Sequence, residues 1–223
     1  MNKLVKTQDL YTTTPSYLTV LFESSEYPWE ILPKIKAHIL SIIENGMEGY
    51  TLLKEGVLVG EGVKIAPTAT IEGPTVIGAG TEIRPGAYIR GSVITGENCV
   101  IGNSSELKNC VLLNKVQVPH YNYVGDSILG YKSHMGAGSI TSNVKSDKTL
   151  VHVKSQDKTV DIDTGRKKFG AMLGDYVEVG CNSVLNPGTV IGKNSNIYPL
   201  SPVRGIVPEG SIYKTGGTVV SKE

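Results

Sequence analysis

The stretch LGDYVEVGCNSVLNPGTVIGKNSNIYPLSPV, residues 173–203, carries an aliphatic side chain at every sixth position. These positions are Leu173, Val179, Leu185, Ile191, Ile197 and Val203. A period of six fits neither an α-helix of 3.6 residues per turn nor a strand whose side chains simply alternate. Each six-residue unit can form one short strand and a bend, and three units close a triangle of about 18 residues. Stacked at the ~4.8 Å strand spacing, such triangles form a prism with the aliphatic residues inside.

The same period runs through the first part of the chain. It passes through Val59, Ile65, Ile71, Ile77, Ile83, Ile89, Thr95, Ile101, Leu107 and Leu113. The phase slips at Val118, Val124, Leu129 and Met135, and it returns at Leu173. These rungs predict an all-β solenoid of about 6–7 coils, roughly 30 Å tall. An ordinary β-sandwich with accidental spacing is the alternative, and the unbroken steps over residues 173–203 disfavour it.

Residues 1–55 do not keep this period, and we assign them to an N-terminal helical appendage. Pro28, apolar residues at helical spacing from Trp29 to Ile43, and Gly46 predict a helix over residues 28–45. We expect its apolar face to cap the open end of the first coil, because a stack of repeats needs its ends covered. A role in binding a partner is the alternative.

We assign residues 56–215 to the solenoid, with a hairpin inserted at 144–170, and residues 216–223 to a C-terminal tail. In the insertion, Val151 and Val153 alternate on one side of the polar run 155–158, and Val160 and Ile162 on the other. This pattern predicts a β-hairpin. It leads into GRKKF, residues 165–169, the most basic cluster of the chain. The cluster is either a solvated face or an anion site.

Charge and cysteine content narrow the classes of partner and compartment. The 22 Lys and Arg residues nearly balance the 21 Asp and Glu residues, which argues against a nucleic-acid partner. The three cysteines, Cys99, Cys110 and Cys181, have no metal-type spacing and suggest a reducing compartment. The N-terminus lacks the apolar core of a signal peptide, and no apolar run is long enough to span a bilayer. We therefore expect a cytoplasmic protein without a membrane partner.

Two cations and one histidine stand out among the repeats. Arg90 and Lys108 each follow an inward aliphatic residue and lie three repeats apart, which places one above the other on successive coils. A bound phosphate would relieve the repulsion between them, although two long side chains can also splay into solvent. Arg84 is a similar candidate, but on another face. His120 lies two repeats beyond Lys108 and suits general-base chemistry, although an isolated histidine is more often structural.

The run from residue 101 to residue 143 adds a family resemblance. It contains IGNSSELKNC at 101–110, VPHYNYVGDSILG at 118–130 and MGAGSITSN at 135–143. These motifs closely resemble the acetyltransferase half of the bifunctional N-acetylglucosamine-1-phosphate uridyltransferase/glucosamine-1-phosphate acetyltransferases. TGRKKFGAMLGD at 164–175 and VIGKNSNIYP at 190–199 resemble most the archaeal-type sugar-1-phosphate nucleotidylyltransferases that carry the same half. The match covers roughly residues 60–215 and implies a left-handed parallel β-helix of hexapeptide repeats.

The resemblance also implies roles for particular residues. It implies a catalytic base at His120, phosphate ligands at Arg90, Lys108 and Lys168, sugar contacts at Tyr123 and Asn143, and an acetyl-carbonyl donor near Ala137. Two positions depart from the family pattern. Cys181 replaces a small hydroxylic residue along the coenzyme groove. His134 replaces an asparagine before the GAG turn, where it would contact the substrate, change which amino sugar fits or add a second titrating group.

The implied function is an acetyl-CoA-dependent N-acetyltransferase acting on glucosamine or galactosamine 1-phosphate, in UDP-N-acetylhexosamine biosynthesis. The resemblance further implies a homotrimer, with active sites between chains and no metal. Residues 1–55 contain no Gly-rich nucleotide loop, so we expect no uridyltransferase activity from this chain. One rival is a non-catalytic sugar-nucleotide-binding or scaffold module. A zinc lyase is disfavoured, because His38, His120, His134 and His152 offer no closely spaced pair of ligands.

Overall fold

The computed structural model describes residues 5–222. Residues 1–4 of the predicted appendage and Glu223 of the predicted tail lie outside the described residues.

The helical elements all precede residue 46. The α-helices are α1 (Thr7–Leu10), α2 (Thr19–Glu23) and α3 (Ile35–Asn45), and two 3₁₀ turns span Ser16–Leu18 and Pro28–Glu30. The strands are β1 (Tyr50–Lys54), β2 (Val57–Gly60), β3 (Lys64–Ile65), β4 (Thr70–Glu72), β5 (Thr75–Ile77), β6 (Glu82–Ile83), β7 (Tyr88–Arg90), β8 (Val93–Thr95), β9 (Val100–Asn103), β10 (Glu106–Leu112), β11 (Gln117–His120), β12 (Tyr123–Leu129), β13 (His134–Met135), β14 (Ile140–Thr141), β15 (Val151–Lys154), β16 (Asp161–Arg166), β17 (Ala171–Leu173), β18 (Glu178–Val179), β19 (Val184–Leu185), β20 (Thr189–Ile191), β21 (Asn196–Ile197), β22 (Pro202–Val203), β23 (Ile206–Val207), β24 (Ser211–Tyr213) and β25 (Val219–Ser221).

Parallel pairing between coils confirms the predicted parallel β-helix. Three ladders form its three faces. The covered face is β2-β5-β8-β10-β12-β17-β20-β23, the groove face is β3-β6-β9-β11-β13-β18-β21-β24, and the site face is β4-β7-β10-β12-β14-β19-β22. Strands β10 and β12 are long enough to belong to two faces. The fold is mostly β, as the repeat predicts.

The period of six places the predicted aliphatic residues in the interior, with one correction. Ile77, Ile89, Ile101 and Leu107 are fully or almost fully buried in one interior cluster. Leu113 belongs instead to a second cluster outside the prism, and its neighbour Leu112 points inward.

The phase slip seen in the sequence has a structural cause. Leu107 pairs with Val124, and Leu112 pairs with Leu129. The coil between these partners is therefore one residue shorter than three full repeats. It is shorter because β10 and β12 run straight through a corner of the prism.

The second cluster explains where the N-terminal segment packs. Each rung of the covered face turns one apolar side chain outward, and all are buried: Leu58, Val76, Ile94, Val111, Ile128, Met172, Val190 and Ile206. Trp29, Ile35 and Ile39 of the N-terminal segment pack against them. The prediction that the helix caps the open end of the first coil is therefore wrong. The row of apolar side chains along the flank gives the segment a continuous surface to bury, and burial of apolar area stabilises the fold.

The predicted helix over residues 28–45 is also divided. A 3₁₀ turn occupies Pro28–Glu30, and α3 begins only at Ile35. Pro33 lies between them, and proline removes a backbone donor and disfavours helical geometry in the residue before it. The helix ends before Gly46, whose φ of 72° is the left-handed conformation that favours glycine.

A buried carboxylate attaches the first residues of the N-terminal segment to the solenoid. Asp175 is 1% exposed. Its Oδ2 accepts from the Thr12 N–H at 2.8 Å and from the Thr12 hydroxyl at 2.6 Å. Its Oδ1 accepts from the Tyr131 N–H at 2.8 Å. Three donors satisfy the charge of this carboxylate, which is the condition for burying it at acceptable cost.

The predicted hairpin is present and folds back onto the covered face. Strands β15 and β16 pair antiparallel, and Val151 and Val153 belong to the second cluster. The insertion leaves the register of the coils intact, because Leu129 pairs with Leu173 across it. The chain between these two partners is one short coil plus the insertion at 144–170. Within residues 5–222, no helix is long and apolar enough to cross a membrane.

Candidate active site

One edge of the prism carries three of the predicted site residues. The edge between the groove face and the site face is connected by backbone hydrogen bonds that climb one coil at a time. Gly138 N–H donates to the His120 carbonyl at 3.0 Å, and Asn182 N–H donates to the Ala137 carbonyl at 2.8 Å. His120, Ala137 and Cys181 therefore occupy equivalent positions on successive coils, about 5 Å apart at the backbone. His120 and Cys181 are both exposed.

The turn that follows His120 packs closely against the preceding coil. Pro119 lies directly over Gly102 on the preceding coil, and a Cβ at position 102 would overlap the Pro119 carbonyl. Tyr121 adopts a left-handed φ of 52° and is 64% exposed. Its N–H donates to the Asn103 carbonyl at 2.9 Å. The glycine lets the two coils approach, so the imidazole is carried on a fixed backbone.

Ala137 offers an unused donor at the same edge. Its carbonyl is engaged by Asn182, but its N–H has no acceptor among residues 5–222. A free backbone N–H one coil above an exposed histidine can hydrogen-bond an oxygen on which negative charge develops.

The site face carries the predicted cations in the expected register. Ile89 pairs with Leu107, so Lys108 lies one coil above Arg90. The Arg90 guanidinium is not free, because Nη1 donates to Glu106 Oε1 at 2.6 Å and this bond raises the pKa of Arg90. Lys108 has no ion-pair partner in the described part of the chain. Sequence reasoning missed Glu106, whose outward position on β10 was the available signal.

Tyr123 and Asn143 meet in one polar network on the same face. Asn143 Nδ2 donates to the Tyr123 hydroxyl at 3.3 Å and to Asp126 Oδ2 at 2.6 Å. Asn109 Nδ2 donates to Asp126 Oδ1 at 2.8 Å. A carboxylate only accepts, so Asp126 fixes the orientation of both amides. Asp126 is 4% exposed, and sequence reasoning gave it no role although it closes the VGD motif.

The ring of Tyr123 is held in one position by the neighbouring backbone. It lies over Gly125, where a Cβ would be 2.7 Å from Cζ and 2.9 Å from Cε1 of Tyr123. Partial burial raises the pKa of the Tyr123 hydroxyl, and the charges of Asp126 and Glu106 add to that effect. Because the hydroxyl accepts from Asn143, its own proton is available to an acceptor outside the protein.

Lys168 lies beside this network. Its backbone forms a bridge with Val144, and the next residue, Phe169, donates its N–H to the Asn143 carbonyl at 3.0 Å. Phe169 is fully buried and packs on Trp29, with ring centroids 5.7 Å apart. Lys168 is exposed and has no ion-pair partner in the described segment. Arg84 is elsewhere, paired with Glu82 at 3.2 Å on the groove face.

His134 is not brought to this network. It lies on the groove face directly above Gln117, three positions from the His120 column, or roughly 10 Å along the strand. Its Nδ1 is 2.9 Å from Glu178 Oε2. The pair lines an open groove of about 770 Å³. His134 is thus separated from Tyr123 and Asn143 by an edge of the prism.

The remaining histidines have separate partners. His152 Nδ1 lies 2.6 Å from Asp161 Oδ1 in the hairpin, and His38 Nε2 lies 2.7 Å from the Tyr17 carbonyl. Within residues 5–222 no three His, Cys, Asp or Glu side chains gather into a group that could hold a metal ion.

Comparison with known proteins finds a family model, curated relatives and solved structures that resemble this chain. Residues 71–179 match the family model described as GMPPB C-terminal domain. The bifunctional protein GlmU of Methanococcus maripaludis strain S2 is 35% identical over 201 residues, covering 88% of this chain and 48% of that protein. The GlmU protein of Methanococcus vannielii is 31% identical over 226 residues, covering 100% and 53%. This chain is similar to the GlmU proteins over about half of their length.

The chain spans about half the length of these curated relatives. A bifunctional sugar-1-phosphate nucleotidylyltransferase/acetyltransferase of Sulfurisphaera tokodaii is 36% identical over 114 residues, covering 51% of this chain and 28% of that protein. Among solved structures, the acetyltransferase domain of PglB from Neisseria gonorrhoeae FA1090, in complex with acetyl coenzyme A, aligns with a TM-score of 0.32 and 14% identity. That alignment covers 80% of this chain and 62% of the other. So distant a likeness says nothing about ligands.

Proposed function

We propose that this protein is an acetyl-CoA-dependent N-acetyltransferase that acts on a hexosamine 1-phosphate, either glucosamine or galactosamine 1-phosphate. The observation that carries the proposal is the alignment of His120 with the free N–H of Ala137 on one edge. The relation to bifunctional proteins that include an acetyltransferase supports it. The thioester would lie along this edge, past Ala137 and Cys181.

The sugar phosphate would bind on the adjoining site face. Lys108 and Lys168 have no counter-ion there among the described residues, and Arg90 can offer a bidentate grip once it leaves or shares Glu106. The Tyr123 hydroxyl would donate to the substrate, with Asn143 holding its oxygen from behind. Phosphate binding at this face would leave the 2-amino group to reach the edge where His120 lies.

The reaction is a direct acyl transfer. The amine nitrogen attacks the thioester carbonyl carbon and forms the C–N bond. His120 removes one proton from that nitrogen, and the Ala137 N–H hydrogen-bonds the oxyanion. The C–S bond then breaks, and the coenzyme A thiolate takes up a proton, so the products are the N-acetyl sugar phosphate and free thiol. Most of the rate gain would come from placing the two substrates together.

Thiol release from acetyl-CoA tests the proposal. Glucosamine 1-phosphate and galactosamine 1-phosphate are compared with unphosphorylated glucosamine, and we expect release only with a phosphate. His120→Ala should abolish transfer without changing thermal unfolding. His152→Ala, an exposed histidine on the hairpin, is the matched control and should retain full activity. Wild-type rates in His120→Ala would show that the base is misassigned.

A binding module without catalysis is the second candidate. The 2.6 Å ion pair between Arg90 and Glu106 favours it, because the pair already neutralises the arginine. In that case hexosamine 1-phosphate or a sugar nucleotide would raise the melting temperature, with no thiol released.

We also propose a homotrimer with each active site completed between protomers. The covered face is sealed by the protein's own N-terminal segment and hairpin, so contacts between chains would use the other two faces. Light scattering should give three times the chain mass of 23.9 kDa. A monomer that turns over at full rate would exclude a shared site.

A further inference from the structure

Asn122 is the buried polar side chain closest in sequence to His120. Only 2% of it is exposed. It lies inside the edge that carries His120 and Ala137, two residues after the histidine and one coil below the GAG turn. With so little exposure it cannot contact a substrate on the outside of the prism.

The amide of Asn122 holds the backbone on both sides of the proposed site. Its Oδ1 accepts from the His120 N–H at 3.1 Å. Its Nδ2 donates to the Gly136 carbonyl at 2.9 Å, and also to the carbonyl and hydroxyl of Ser139 at 3.1 and 3.2 Å. One end of the amide faces a donor and the other faces carbonyl acceptors, so only one orientation satisfies both.

The bond to Gly136 determines where the Ala137 N–H points. The Gly136 carbonyl and the Ala137 N–H belong to one planar trans peptide, in which they point in opposite directions. Asn122 holds that carbonyl toward the interior, together with the Ser139 N–H at 3.1 Å and the Ser139 hydroxyl at 2.7 Å. The Ala137 N–H is therefore directed away from the interior, where it has no acceptor within residues 5–222.

We propose that Asn122 is a positioning residue that fixes the spacing between the general base and the oxyanion donor. Ser139 shares the hold on Gly136, but Asn122 also binds the backbone of His120. The inference rests on the proposed function. It predicts that a defect at Asn122 slows the chemical step while both substrates still bind, because neither substrate touches the amide.

Asn122→Asp is the sharpest variant. The aspartate keeps an acceptor for His120 N–H but replaces the donor toward Gly136 with a second carboxylate oxygen. Asn122→Ser is a smaller, uncharged second variant, which keeps one hydroxyl at the position. For both we expect kcat to fall by about 100-fold, the size of effect seen when an oxyanion donor is lost. KM for the amino-sugar phosphate and for acetyl-CoA should change by less than about threefold.

Ser195→Ala is the matched control. Ser195 is also fully buried and also joins two coils, since its hydroxyl donates to the Pro208 carbonyl at 2.8 Å and accepts from Ser211 N–H at 3.1 Å. It lies far from the proposed site, so its loss should lower the melting temperature and leave kcat unchanged. Circular dichroism and thermal unfolding are recorded for all variants.

The outcomes distinguish a failure of the positioning role from a failure of the proposed function. If the wild type is active and the folded Asn122→Ser variant has a kcat within twofold of it, the positioning role alone is overturned. A loss that appears in KM rather than kcat, or a kcat loss of equal size in Ser195→Ala, overturns it as well. A wild type that releases no thiol with either sugar phosphate overturns the proposed function and this inference with it.

Discussion

Gly125→Ala tests the placement of Tyr123, on which the sugar-phosphate side of the site depends. The added Cβ would be 2.7 Å from Cζ and 2.9 Å from Cε1 of the tyrosine. Ordinary carbon–carbon contacts are ~3.5–4.0 Å, so the ring must move by about 1 Å. The Asn143–Tyr123 hydrogen bond is already 3.3 Å long and breaks with such a movement.

The expected size of the effect follows from that lost bond. A hydrogen bond of this kind is worth ~1 kcal/mol, or about fivefold in kcat/KM, and misplacement of the hydroxyl adds to it. We expect kcat/KM for the sugar phosphate to fall by about tenfold. Thermal stability should change little, because Gly125 lies in a regular strand and the obstructing atoms end a half-exposed side chain.

A double-mutant cycle with Tyr123→Ala isolates the cause. Thiol-release kinetics are measured for Gly125→Ala, Tyr123→Ala and the double variant. If Gly125→Ala acts only through the ring, it should change kcat/KM by less than about twofold once Tyr123 is absent. An equal tenfold loss in that background would refute the reasoning and point to the backbone of β12. Full activity in the single variant would refute the placement of the ring.

Three further results follow from other parts of the structure. Ile94→Ala should lower the free energy of unfolding, measured in urea, by about 2–5 kcal/mol, because Ile94 is fully buried between the covered face and the N-terminal segment. An unchanged midpoint of urea unfolding would contradict that packing. Glu106→Gln should lower KM for the sugar phosphate by freeing Arg90, whereas a raised KM would mean that Glu106 supports binding. Burial raises the pKa of Cys99 to about 12, so the unfolded chain releases this proton first. The contribution of the protonated thiol to the free energy of unfolding is present below pH 9 and should be lost as the pH rises toward 12. The free energy of unfolding should therefore fall less steeply with pH in Cys99→Ala than in the wild type. Identical pH profiles of the two proteins would exclude the thiol as the cause.

The sequence alone determined the fold because the repeat is a local property. In a prism of six-residue units, the position of a residue within its unit decides whether its side chain points inward. That is why Ile77, Ile89 and Ile101 are found in the interior as predicted. The motif around His120 likewise led to the GlmU relatives, because the residue types and their spacing lie within one continuous stretch.

Only the tertiary structure shows which side chains of neighbouring coils contact each other. A coil that is one residue shorter than three full repeats shifts every contact with the next coil, so the bond from Asn122 to Gly136 cannot be read from a period of six. The same holds for Asp126 between Asn109 and Asn143, and for the separation of His134 from that network.

The N-terminal segment also shows what the sequence determined and what only the tertiary structure decided. Its apolar residues were evident in the sequence, but their partner was not. Outward residues such as Ile94, Val111 and Ile128 recur only once per coil, and they form a continuous apolar row only once the coils are stacked. Free energy is gained by burying contiguous area, so the segment packs along the flank of the prism and not across its end.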